Sequence, residues 1–149
     1  MEQGTDILFF NDIKMMSSES PLKQYDGVFI GTKNYVFIIP KRTVGFYYLV
    51  TTFKSHAYFI DHSVEDGCAR LIAEAESVEA LENTFIALLE DDSKYVHKLS
   101  DKLWVKLNKF FSTFNFRFGK TKMNWSACVI KGKDKGNSLK AFYANLLEK

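Results

Sequence analysis

Chain breakers and cross-links are scarce in this sequence. Two prolines and eight glycines among 149 residues leave few forced turns and favour ordered structure. Only two cysteines occur, Cys68 and Cys128, far apart and with no C-x-x-C pair. That argues against a disulfide framework, and reduced thiols in a cytoplasmic setting are the expectation. The N-terminus has no basic leader region, and its apolar run, Ile7 to Phe10, is too short for a secretion signal. The longest apolar stretches, such as Phe46 to Val50, fall far short of the roughly 20 residues of a membrane-spanning helix. No repeat and no low-complexity segment is present. His62 and Cys68 are close in sequence, but no second Cys/His cluster completes a four-ligand metal set.

What remains is the composition of a globular chain. Hydrophobic residues make up 46% and charged residues 26%, and a chain of this length can bury a core unaided. Fourteen Phe, seven Tyr and two Trp favour sheet content. The net charge of +2 hides a split: residues 1–92 carry 7 basic and 15 acidic side chains, residues 93–149 carry 13 and 3. Such asymmetry marks either an anion-binding half or acidic and basic elements that pack side by side.

Residues 7–16 read as a helix or an edge strand. Ser17 to Pro21 reads as a loop. Asp26–Gly31 and Tyr35–Pro40 flank the polar turn Thr32-Lys33-Asn34 and predict a β-hairpin. Residues 43–52 and 56–60 continue the pattern, so residues 25–60 read as a four-stranded meander. Ser63 is placed to cap a helix with Asp66 at its third position. Residues 64–75 are ambiguous between helix and strand. From Ser77, the spacing of Val78, Leu81, Phe85 and Leu88 predicts a helix with Glu79, Glu82 and Glu90 on its far side. Asp91-Asp92-Ser93 should end it, with Ser93 capping the next.

Residues 93–111 show the clearest helical pattern. Val96, Leu99, Leu103, Leu107 and Phe110 form one stripe, and Lys94, Lys98, Lys102, Lys106 and Lys109 the opposite one. Phe114, Phe116 and Phe118 then alternate with polar residues and predict a strand with a core-facing side. Met123, Trp125, Ala127 and Val129 alternate in a returning strand. Lys131 to Asn137 reads as a loop, after which Ser138 caps a helix with Leu139, Phe142, Tyr143, Leu146 and Leu147 on one face.

Four strands before a helical segment, two after it and a closing amphipathic helix resemble the pleckstrin-homology-like superfamily, which includes the GRAM and bacterial PH domains. The stretch Gly27-Val28-Phe29-Ile30-Gly31-Thr32-Lys33-Asn34-Tyr35-Val36-Phe37-Ile38 is similar to the glycine, apolar strand, Thr-x-x turn and apolar strand of GRAM-type sequences. The two-helix segment within about 63–111 departs from the basic pattern of that superfamily. The resemblance implies a partly open antiparallel barrel and a role in binding lipids, peptides or proteins rather than catalysis.

Several constellations bear on chemistry. Five lysines on one helix face would repel one another, and an anionic partner would relieve that repulsion; solvent, or the acidic helix lying alongside, would do the same. The lack of arginine in the stripe points to non-specific contacts. Lys133 and Lys135 sit before a helix start, where free N–H groups attract anions; the plainer reading is a solvent loop. Gly119-Lys120-Thr121 copies the end of a phosphate-binding loop, but Phe114 stands where its first glycine belongs and a strand follows. Asp61-His62-Ser63 holds triad residue types in adjacency, whereas triad partners converge from separate positions. Cys68 or Cys128 could pair with His56, His62 or His97, with no spacing that singles out a pair.

The expectation is a single α+β domain over residues 1–149: an antiparallel, partly open barrel, a two-helix insertion at about 63–111 and a C-terminal amphipathic helix. Its expected role is a non-catalytic binding or protein-interaction module, with no catalytic residue, cofactor or metal assigned and a protein as partner. The alternative is an anion binder for nucleic acid or acidic lipid head groups, through Lys94, Lys98, Lys102, Lys106 and Lys109, with Lys133 and Lys135. A third reading is an enzyme using a cysteine thiol of lowered pKa.

Overall fold

The computed structural model describes residues 1–41, 63–102 and 104–147. Its strands are β1 (Leu8–Ser17), β2 (Ser20–Gly31), β3 (Tyr35–Pro40), β4 (Val96–Lys98), β5 (Trp104–Phe110), β6 (Thr113–Gly119) and β7 (Trp125–Lys131). Helices α1 (Val64–Glu74) and α2 (Val78–Leu88) lie between β3 and β4, and α3 (Lys133–Phe142) and α4 (Ala144–Leu147) close the chain. The seven strands among the described residues form one antiparallel sheet in the order β4-β3-β2-β1-β7-β6-β5. The expected strands at 43–52 and 56–60 lie outside the described residues, as do His56, His62 and Leu103.

The order forces the sheet to curl. β4 and β5, the edge strands among the described residues, are consecutive in the chain order of those strands, so Lys98 and Trp104 sit at opposite edges. A flat seven-stranded sheet would hold them about 29 Å apart. Six residues reach at most about 20 Å, and the 3-10 turn Leu99–Asp101 shortens that span. The sheet is accordingly a curled half-barrel. His97 on β4 meets Phe118 on β6 across its interior, with ring centroids 4.7 Å apart.

β1 is the central strand, pairing with β2 and β7. A register shift between Phe10 and Ile13 lets both point inward despite their odd spacing. The inner face gathers Leu8, Phe10, Ile13, Phe29, Ile38, Phe116, Phe118, Cys128 and Ile130, and α3 closes it with Leu139, Phe142 and Tyr143. On the outer face of β2–β4, Val28, Ile30, Phe37 and Ile39 pack under α1 and α2 through Val64, Cys68, Leu81, Phe85 and Leu89. β3 is therefore buried on both sides, which explains its continuous apolar run.

Both helix starts of the insertion follow the sequence. Ser63 Oγ accepts from Asp66 N at 3.1 Å, and Ser77 Oγ from Ala80 N at 3.0 Å. The ambiguous 64–75 segment is helix, and 7–16 is strand. The loop expected at Ser17–Pro21 is shorter, because β2 begins at Ser20. The core phase of β7 is Cys128 and Ile130, while Met123 is exposed in the preceding turn.

Residues 93–111 are not a helix. Asp92 Oδ1 accepts from Lys94 N in a turn, and β4, the 3-10 turn and β5 follow. Spacings of four are even, so Lys98, Lys102 and Lys106 satisfy a strand period as well as a helical one. Open sheet positions beside β3 and β6 decided for strand.

Ser138 is no cap either. α3 starts at Lys133 after Gly132, which has φ +113°. Gly136 lies within α3, and glycine is required there because a Cβ would stand 2.1 Å from the Phe114 ring.

Candidate functional site: a lysine-lined groove at the sheet edge

Among the described residues β5 pairs with β6 only, so its other side carries main-chain groups without a ladder partner. α3 and α4 run past that edge. Between them lies a groove of about 770 Å³ whose floor and walls include Val105, Leu107, Phe114, Leu146 and Leu147. Lys102, Lys106, Lys109 and Lys140 line it, and among the described residues no carboxylate does. Val105 and Leu107 also pack on the inner core, as do Leu146 and Leu147. The groove thus continues the core outward and is rimmed by positive charge.

The sequence-assigned lysines scatter over the fold. Lys102, Lys106 and Lys109 share the groove. Lys94 lies in the turn before β4 and borders a separate cleft of about 310 Å³, at the barrel mouth beside Tyr25, Tyr95 and Trp125. Lys98 is exposed on β4, opposite Tyr35. Lys133 and Lys135 lie in the first turn of α3. The five-lysine face expected for a helix does not exist. Lys140, which the sequence did not single out, completes the groove; its place in the last turn of α3 gives no signal before the helix is docked.

The groove lysines differ in setting. Lys102 is half-buried, with Nζ 5.9 Å from the Phe118 ring centroid. Burial lowers its pKa, nearby Lys120 adds to the shift and Asp101 opposes it. Lys106 and Lys109 are exposed, with Lys109 Nζ 6.0 Å from the Phe114 ring. Lys106 faces Arg117 across the β5–β6 ladder, and the Arg117 guanidinium lies 4.2 Å over the Trp125 ring. Glu79 is exposed and makes no ion pair with these lysines, and Glu82 is turned into the core.

Glu82 belongs to a buried polar junction that sequence reading missed, having placed this residue on a solvent-facing side. Thr32 Oγ1 donates to its carboxylate. The same oxygen accepts from Tyr35 N at 3.0 Å, and Tyr143 Oη donates to the Thr32 carbonyl at 2.7 Å. Lys33 Nζ donates to the Phe142 carbonyl at 2.7 Å and lies 3.8 Å over its ring. The β2–β3 turn therefore locks α2 and α3 onto the barrel. A Cβ at Gly31 would stand 2.4 Å from Tyr143 Oη, so glycine there admits the tyrosine.

Among the described residues the two thiols and the imidazole of His97 are all buried. Cys68 and Cys128 are buried, and burial pushes both thiols up, with Glu65 adding to the effect at Cys68; a nucleophilic cysteine needs the opposite shift. His97 is buried, and its Nε2–H donates to the Lys94 carbonyl at 3.2 Å. Burial first, and Lys102 second, lower its pKa to about 3. Among the described residues no group of acidic, His and Cys side chains is arranged to hold a metal ion. No described helix is long and apolar enough to cross a membrane. No family model, curated protein or solved structure matches this chain.

Proposed function

We propose that this protein is a non-catalytic interaction module that binds an extended, acidic peptide segment along β5. The observation that carries this reading is the open edge of β5 facing a groove with apolar walls and four lysines. An added strand would satisfy the edge main chain, its apolar side chains would meet Leu107, Leu146 and Leu147, and its carboxylates would reach the lysines. The strand order and the closing C-terminal helix support membership of the pleckstrin-homology-like superfamily, where binding is the usual role. Buried, unpaired thiols fit a soluble protein of the cytoplasm.

The test is an array of extended peptides of alternating apolar and acidic residues, followed by amide hydrogen exchange on residues 104–110. Binding that weakens with salt, slows exchange in β5 and is lost in Lys102→Glu/Lys106→Glu/Lys140→Glu supports the reading. No selected peptide would overturn it. So would duplex DNA or single-stranded RNA binding with the same lysine dependence, which would assign the groove to nucleic acid instead.

A further inference from the structure

The β5–β6 hairpin ends in two aromatic side chains that neither the core nor the groove uses. Phe110 pairs with Thr113, leaving Phe111-Ser112 as a two-residue turn. Phe110 is 74% exposed and Phe111 82%. Their rings touch, with centroids 4.7 Å apart at 75°, and make one apolar cap on the apex. Phe111 has φ +57°, a left-handed conformation disfavoured for a bulky side chain. Glycine or asparagine serves such turns at less strain. Turn stability therefore does not account for an aromatic residue here, and a paired aromatic apex on strained backbone marks a surface that a partner covers.

The surroundings indicate the partner. Lys109 precedes the tip, and Lys131 stands opposite Thr113 on β7. Gly132 N donates to the Ser112 carbonyl at 3.0 Å, which ties the tip to the start of α3 and brings Lys133 and Lys135 close in the chain, with Asp134 as the carboxylate among them. A convex apolar apex with a collar of lysines complements a flat anionic layer: phenyl rings enter the acyl boundary while ammonium groups stay at the level of the phosphates. The collar has lysine and no arginine, which suits diffuse charge attraction over bidentate recognition. We infer that the Phe110–Phe111 tip docks this protein on membranes rich in acidic lipids. The two rings and Lys131, Lys133 and Lys135 lie outside the peptide groove, which shares only Lys109 with the tip, so either site can fail alone.

Flotation of the full chain with phosphatidylcholine vesicles, with and without phosphatidylserine, tests this. Binding is expected only with phosphatidylserine and should weaken with salt. Phe110→Ser/Phe111→Ser should lower partitioning about tenfold or more while leaving peptide-array binding intact. Lys131→Glu/Lys133→Glu/Lys135→Glu, which leaves every groove lysine in place, should abolish it. Phe111→Gly should raise the melting temperature yet weaken vesicle binding, a combination that misfolding cannot produce. Wild-type protein that ignores phosphatidylserine vesicles overturns the inference. Vesicle binding that survives loss of both rings does so as well. Self-association in sedimentation velocity that disappears with both rings would assign the tip to a second copy of this chain.

Discussion

The two halves of the sheet are built from similar residues and used differently. β2, β3 and β4 are covered on the inner face by the barrel core and on the outer face by α1 and α2. β5, β6 and β7 share the inner core, but no helix covers their outer face among the described residues. The first half is apolar through and through in β3. The second alternates strictly in β6, where Phe114, Phe116 and Phe118 are buried and Asn115 and Arg117 are half-buried between them. Covering a sheet twice commits it to stability. Leaving one face and one edge bare frees side chains for binding, and the lysine groove and the aromatic tip both belong to that half. The charge split along the chain follows this division.

The sharpest way to break the comparison is to empty equivalent core positions in each half. Phe37, stacked on Tyr35 and tilted against Phe85, lies within the doubly covered part. Phe37→Ala should cost about 3–5 kcal/mol, whereas Leu107→Ala, on the half-buried edge strand, should cost about 1–2 kcal/mol. Urea midpoints at constant slope measure both. Equal losses would mean that the edge is as firmly packed as the centre.

The next effect tests what locks the helices to the first half. Thr32→Val keeps the shape but strands the Glu82 carboxylate and the Tyr35 amide, and should cost about 2–3 kcal/mol. Hydrogen exchange in α2 should quicken with it. A stability change below about 0.5 kcal/mol, within the range of a neutral surface substitution, would show that water replaces the hydroxyl.

The smallest effect concerns the seam where the halves meet at His97 and Phe118. The unfolded imidazole takes a proton near 6.5, but in the fold it stays neutral to about 3. Across that window the unfolded state binds more protons, so stability is complete above 6.5 and falls as pH drops toward 3. Between pH 6.5 and 5 the loss should be about 2 kcal/mol. His97→Leu should flatten that part of the pH profile, and an unchanged slope would show that other groups carry it.

Much of the fold was legible in local pattern. The 26–40 hairpin, the serine cap at Ser63, the helix from Ser77, the inward phase of Phe114, Phe116 and Phe118, and the apolar face toward the C-terminus all follow from local pattern, whereas the caps expected at Ser93 and Ser138 did not form. The 93–111 segment was not legible, because lysines and leucines four apart suit both a helix and a strand. Nor was the reason for a glycine within α3 at position 136, which is the ring of Phe114, distant in sequence. The groove was half legible: Lys102, Lys106 and Lys109 were singled out, on the wrong element, and Lys140 was not. The aromatic apex could have been sensed in Phe110-Phe111-Ser112-Thr113 as a turn between two alternating runs.

The sequence by itself determined the α+β class and the acidic and basic halves, since these depend on composition and local period. Tertiary structure alone decided that 104–110 is an edge strand, that Glu82 turns inward to Thr32, and that scattered lysines converge beside α3. Those outcomes depend on which surfaces the curled sheet leaves uncovered, and that is settled only when strands distant in sequence compete for the same core.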